Sequence, residues 1–319
     1  MSAEFNRKKL RMKSLKERTS KVNTELLIGE LTGSQMRVGD FIKALPDVLA
    51  VREMKTLASA ILKAREAGAA RIFMYGGHVI KCGLGPLLVE WLQEGRINCL
   101  ATNGAGTIHD IEMALFGKTS EDVEAGISDG SFGMWKETAE IYSSALELAD
   151  KQSIGLGEAL GREILRFGGD VAVSPLATAC RAGIPVTVHP ALGGDIVHPY
   201  SLLSWQKLGA AAERDFDLLG ERITSLSDGV VINAGSAVIM PEVFLKLLTS
   251  AINLGYSISN FTAASFDMIS QYRPVNNVVF RPVKALGGTP IVLTGHHELM
   301  LPMLNIFIDT EEAEDDKNS

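Results

Sequence analysis

The sequence predicts an α/β protein organised on one mostly parallel sheet, and three observations carry that expectation. Between Arg71 and Gly117 the chain reads strand, glycine turn, helix, strand, glycine turn, helix. Two strands joined by one helix within roughly 30 residues make a parallel βαβ unit, because a parallel neighbour needs a long crossover. Glycine also follows the strands: Gly76-Gly77 and Gly104-Ala105-Gly106 first, then Gly193-Gly194, Gly235 and Gly295. The alternation continues to the last helix with no boundary, so one large domain is expected over residues 23–310. In such sheets ligands sit beyond the carboxyl ends of the strands, where helix N-termini offer free N–H groups to anions. The pattern therefore points to a nucleotide-type pocket.

Composition narrows the class. The 319 residues are 46% hydrophobic and 22% charged, ample material for a large core. A net charge of -7 argues against nucleic acid as a partner, because a phosphate-binding surface needs excess lysine and arginine. The three cysteines, Cys82, Cys99 and Cys180, are too few and too widely spaced for a disulfide framework or a zinc ribbon. They fit a reducing, cytoplasmic setting. No apolar run approaches the roughly 18 residues that span a bilayer, so no membrane partner is expected. The basic N-terminus has no apolar stretch after it and is not a secretory signal.

Taken in order, residues 1–22 carry Arg7, Lys8, Lys9, Arg11, Lys13, Lys16, Arg18 and Lys21 and read as a solvated basic arm. An arm docking on a partner subunit or an acidic surface is the alternative. Phe41, Ile42 and Leu45, then Leu57, Ala60, Ile61 and Ala64, recur at helical spacing and predict two helices before the Arg71–Tyr75 strand. The second strand is expected over 97–102. Thr119-Ser-Glu-Asp122 resembles a capping box. Gly126 to Gly133 reads as a loop able to cover a site. Amphipathic or apolar periodicity predicts helices over 135–149, 154–167 and 174–182, from Trp205, and over 241–253. Strands are expected over 184–189, 229–233, 256–262, 277–280 and 290–293, with a closing helix from His296. The acidic run 311–319 is expected to be disordered.

Six histidines, His78, His109, His189, His198, His296 and His297, fall at or near the proposed strand ends. Each alone is readily a structural histidine. The shared placement favours chemistry for His109, His189 and His296, with His109 a general base or hydride-site partner. Asp110 reads as a charge on its own helix dipole, with no catalytic role needed. His296-His297-Glu298 raises a metal question, but adjacent helical residues point in different directions and no His-x-x-x-His or Cys-x-x-Cys spacing occurs, so no metal is assigned. The glycines are neither the Gly-x-Gly-x-x-Gly fingerprint nor a Walker A loop, since Lys81 precedes Cys82 and Gly83. Trp91, Trp135 and Trp205 read as core or interface residues, and Cys82 as a buried thiol.

Ala101-Thr-Asn-Gly-Ala-Gly-Thr-Ile-His-Asp110, the preceding Gly76–Gly83 stretch, and Ile184-Pro-Val-Thr-Val-His-Pro-Ala-Leu192 resemble deoxyhypusine synthase. So do Gly229–Gly235, Ile258–Thr262 and the closing strand-to-helix turn, in order and spacing over about residues 38–308. The resemblance implies a Rossmann-like NAD-binding fold with helices on both faces of the sheet. It also implies a homotetramer, a dimer of dimers, with active sites at dimer interfaces. The family oxidises spermidine with NAD and transfers its butylamine part through an enzyme lysine imine. On the cofactor side the resemblance places Gly76, Gly77 and His78, then Thr102, Asn103, Gly104 and Gly106, at NAD. Asp195 lies one place from an acidic residue that holds the ribose, and Gly295, His296 and His297 fall in the last cofactor-contacting turn.

The catalytic side departs from the family. Arg281 or Pro282 stands where the family has its lysine, and arginine stays protonated and forms no imine. Lys284 is the nearby lysine, about two places out of register. Val238-Ile-Met-Pro241 replaces the catalytic histidine, and Arg273, Asn276, Asn277 and Arg281 stand where polyamine-binding acids belong. The expectation is an NAD-dependent enzyme acting on a small, non-polyamine substrate by hydride transfer, with or without group transfer. His109 or His296 would assist the proton, and Arg273, Asn276 or Arg281 would read an anionic substrate group. Two alternatives stand beside it: a non-catalytic nucleotide-binding scaffold, and genuine deoxyhypusine or homospermidine synthase chemistry through Lys284.

Overall fold

The computed structural model describes Arg11, residues 24–31, Gly33 and residues 36–318. Apart from Arg11, the basic arm lies outside the described residues. Helices α1 (Val38–Ala44) and α2 (Leu49–Glu66) precede β1 (Arg71–Tyr75), α3 (Gly77–Lys81), α4 (Gly85–Gln93) and β2 (Cys99–Asn103). Then come α5 (Gly104–Phe116), α6 (Val123–Asp129), α7 (Lys136–Gln152), α8 (Leu156–Arg166), α9 (Pro175–Ala182), β3 (Val186–His189), α10 (Trp205–Ile223) and β4 (Val230–Ala234). The chain closes with α11 (Ile239–Asn253), β5 (Phe261–Asp267), a π-helical turn (Pro274–Phe280), α12 (Arg281–Leu286), β6 (Gly288–Thr294) and α13 (His297–Asn318).

The six strands form one all-parallel sheet in the order β3-β2-β1-β4-β5-β6. Alternation along each strand sends successive side chains to opposite faces. Phe73, Tyr75, Leu100, Val188, Ile232 and Phe266 join one core with helices α2, α4, α5, α7, α8 and α13. Ile72, Met74, Ala101, Val231 and Ala263 join a second core with α10, α11, the π-helical turn and α12. Both faces are thus covered, which is why β1 is buried at every position. The order reverses between β1 and β4: the chain builds outward through β2 and β3, then returns to β1's other side.

Four expectations are corrected. The strand over 277–280 is instead the π-helical turn. Its Val278 and Val279 are both buried in the second core, and the Asn277 side chain donates to Glu242 on α11 (2.8 Å), so packing on α11 overrides the β preference of the valine pair. The strand over 256–262 starts later, at Phe261, where register with β6 begins; register with β4 follows from Thr262. The capping box at Thr119 does not form: Asp122 caps α6 by accepting the Ala125 N–H (3.1 Å), and part of the expected covering loop is that helix. The acidic run after Thr310 is the end of α13 up to Asn318, held by Glu312 on Arg65 (2.5 Å) and Glu314 on Lys43 (2.7 Å).

Asp110 is a further correction. It sits in the second turn of α5, fully buried, and accepts from the Ser174 hydroxyl and the Leu176 N–H (3.0 Å). Its carboxyl group serves the first turn of α9, not its own helix. Asp215 on α10 does the same for α8, accepting the Gly157 N–H (2.9 Å) and also the Val188 N–H of β3 (2.8 Å). Burial pushes both carboxyl groups up to about 7, against the opposing pull of these hydrogen bonds. A folded-state pKa raised above the unfolded value adds stability below the unfolded pKa, and that stability is lost as pH climbs through the folded one. The urea midpoint is therefore expected to fall between about pH 4 and pH 7. Asp215→Asn, which removes one titration, should flatten that fall; an unchanged slope would contradict the assignment.

Candidate functional site

The turns after β1, β2 and β3 build one side of the site. After β1, Gly76 leads into α3. A Cβ on Gly77 would lie 2.9 Å from Cδ2 of His109 and 3.1 Å from Cβ of Ala105, so the bare Gly77 lets the histidine ring lie against the turn. After β2, the Thr102 hydroxyl donates to the Tyr75 carbonyl (2.8 Å), and Asn103 caps α5 by accepting the Gly106 N–H (3.0 Å). After β3, the chain loops through Asp195, whose carboxylate accepts the Ala191 N–H (3.1 Å) and fills the space a side chain on Gly104 would need. Burial pushes the Asp195 carboxyl up to about 6. Glycine at 76, 104 and 106 is thus required by contacts within the protein, to the Gly235 carbonyl, Asp195 and Thr102 respectively.

Beside these turns lies a cavity of about 640 Å³, within the size range of small-molecule sites. Lys81, His109, Glu112, Thr119, Trp135 and Asp195 line it, with α6, α7 and the loop after α5 as its outer wall. His109 Nδ1 lies 2.7 Å from the Thr119 hydroxyl, which donates to Glu112 (2.5 Å); Thr138 donates to the other Glu112 oxygen (3.4 Å). Burial alone would raise the Glu112 carboxyl, but the nearby His109 ring and the bonds from Thr119 and Thr138 outweigh it and hold the pKa below the usual carboxylate range.

On the other side of α3, at the β1–β4 reversal, a second cluster forms. His297 is fully buried, with its ring 6.4 Å from that of His78, and Gly235 at φ 65° leaves room for it. Both ring nitrogens of His297 and the Asn233 Oδ1 are buried without a hydrogen-bond partner. Burial, ahead of its charged neighbours, lowers the His297 pKa and keeps the ring neutral. These orphaned atoms lie where the strand order reverses, the place at which open α/β sheets admit ligands.

The remaining sequence-derived residues fall elsewhere. His296 is exposed beside Glu298 (3.7 Å), and Gly295 packs against Met300. His189 is buried, bonded to the Thr187 hydroxyl (3.1 Å), and burial lowers its pKa to about 4. Arg273 pairs with Glu242 (3.2 Å), Asn276 donates to the Tyr272 carbonyl (2.9 Å), and Arg281 donates to Asn277 and the Tyr272 hydroxyl (both 2.6 Å). Lys284 is exposed on α12. None of these four lines the cavity. Trp91 is core, Trp135 is a half-exposed part of the cavity wall, and Trp205 is a half-exposed neighbour of His198. Cys82 is half-buried, its thiol pushed up by burial and Glu298. Glu112 and Thr119 escaped the sequence reading, although Glu112 stands at the helical i+3 spacing from His109 that brings side chains together. Among the described residues no group of three or more His, Cys, Asp or Glu side chains is placed to hold a metal, and no helix is long and apolar enough to cross a membrane.

Comparison with protein-family models finds no match, and comparison with curated protein sequences finds none either. Solved structures do match. A candidate deoxyhypusine synthase from Entamoeba histolytica superposes with a TM-score of 0.51 at 12% identity, covering 88% of this chain and 96% of that one. A conserved candidate LOR/SDH protein from Methanococcus maripaludis S2 gives 0.50 at 18% identity, over 81% and 69%. AgrE, in its ternary complex with ornithine and NAD+, gives 0.51 at 16% identity, over 84% of this chain and 34% of that one. The fold is deoxyhypusine synthase-like and Rossmann-like, and at these identities the likeness is one of fold.

If the His297 nitrogens have no partner within the protein, an apolar side chain of similar size removes an uncompensated desolvation cost of about 1–3 kcal/mol. His297→Leu is expected to unfold at the same temperature as the wild type or higher, by calorimetry without ligand. A clear loss of stability would show that the ring is satisfied in the free protein.

Proposed function

We propose that the chain is an NAD-dependent enzyme that oxidises a small, non-polyamine substrate held in the cavity beside α3. The observation that carries this reading is the position of His109, against the glycine turn after β1 on one side and open to the cavity on the other. The orphaned His297 and Asn233 atoms fit a polar cofactor at the strand reversal, and the Asn103–Gly106 turn lies next to it across α3. The residues that would hold NAD are Gly76, Gly77, His78, Thr102, Asn103, Gly104, Asn233 and His297, with Asp195 at the edge. Bound NAD would supply a hydride acceptor.

The chain's own groups supply the rest. The cavity walls from α6 and α7 limit water, Trp135 offers an apolar face, and His109 accepts the proton that an oxidised alcohol or amine must lose. Arg273 and Arg281 are committed to Glu242, Asn277 and Tyr272, so substrate recognition moves from them to the cavity lining. Lys284 lies outside the cavity, which supports a reading without lysine-imine transfer.

Calorimetric titration of the full chain with NAD is expected to show one site per chain, and absence of binding would remove this reading. In the same sample spermidine is expected to produce no NADH absorbance. Its appearance would restore polyamine chemistry. Binding that persists while His109→Ala changes no measurable turnover of any substrate would favour a nucleotide-binding scaffold.

A further inference from the structure

Resting on the role just given to His109, we propose that Thr119 and Glu112 are positioning residues that hold a proton on His109 Nδ1 and so leave Nε2 as the proton acceptor facing the cavity. The argument is one of hydrogen-bond inventory. An ionised carboxylate only accepts, and a threonine hydroxyl has a single proton to give. The Thr119 hydroxyl spends that proton on Glu112 (2.5 Å). Toward His109, 2.7 Å away, its oxygen is left to accept, so Nδ1 must carry the hydrogen. Thr138 donates to the second Glu112 oxygen and fixes the carboxylate from the α7 side. Among the described residues Nε2 of His109 has no hydrogen-bond partner, and it is not among the buried orphaned atoms. Its lone pair is therefore available to a molecule in the cavity.

Glu112 also faces the ring directly. Nδ1 lies 3.9 Å from Glu112 Oε2, close enough for direct attraction. Other charged groups lining the same space are Lys81 from α3, Lys118 and Glu121 from the loop after α5, Glu137 from α7 and Asp195 from the loop after β3. Glu112 is the one tied to the ring through a hydrogen-bonded hydroxyl. The loop after α5 thus acts on the histidine through Nδ1, the ring nitrogen that is not the proposed proton acceptor.

The test is the imidazole nitrogen spectrum of the full chain labelled with ¹⁵N-histidine, recorded without nucleotide above the histidine titration. The His109 signals, assigned with His109→Ala, are expected to show the Nδ1–H form. Thr119→Val should lose that form in favour of Nε2–H, the ordinary preference of a free imidazole side chain, and Thr119→Ser should keep it. Glu112→Ala should weaken the preference for Nδ1–H, because the Thr119 hydroxyl then keeps its proton to give to Nδ1. A wild-type ring found as Nε2–H overturns the proposal, as does a Thr119→Val ring that stays Nδ1–H. Should Thr119→Val fail to fold, the wild-type spectrum and Thr119→Ser still decide. Failure of NAD to bind would remove the enzyme reading and leave the tautomer result standing.

Discussion

Everything at the carboxyl edge of the sheet depends on how closely the backbones after β1 and β4 approach. Any side chain at Gly76 would run into the Gly235 carbonyl, and a Cβ on Gly235 would lie 2.8 Å from the His297 ring. The two turns therefore meet backbone to backbone at the reversal of strand order. That contact fixes the start of α3, which in turn gives His109 its bed at Gly77 and separates the cavity from the His297 cluster. A larger residue at Gly76 would displace both halves of the site at once, whatever it left of the core.

Helix N-termini are commonly where such folds meet anionic ligands, and here several are already satisfied from within. Asp110 serves α9, Asp215 serves α8, and Asp195 lies over the first residue of α5. Each acid sits on or after an element of the first half or its return and reaches across to a neighbour, so the acids act as cross-braces between layers. The consequence for the site is selective. At the strand reversal itself, Asn233 Oδ1 and both ring nitrogens of His297 are buried polar atoms without partners.

Much of the architecture was legible in the residues. Arg71–Tyr75 carried enough β-forming side chains, and a clear enough glycine stop, to be read to the residue. The sheet's parallel character followed from helix-length crossovers. Val278 and Val279 misled because their burial comes from α11, a partner distant in sequence, and no local pattern encodes that. The site was legible only in part for the same reason. His109 and Gly77 drew attention by their position after strands, and Asp195 through the family resemblance. Thr119 looked like a helix cap because the side chains it bonds lie a turn and a loop upstream. Arg273 and Arg281 looked free because Glu242 and Tyr272, which hold them, gave no signal in sequence.

The strand order also has a temporal side. β1 pairs with β4, and Arg71 lies opposite Val230, so about 160 residues separate the partners of the central pair. During synthesis at about 5–20 residues per second, that side of β1 waits roughly 8–30 s for its neighbour. For that interval the nascent first half presents an open strand edge, Arg71-Ile-Phe-Met-Tyr75, a template for pairing with other chains. The feature that places the crevice at the middle of the finished molecule makes its growing form dependent on protection until β4 emerges.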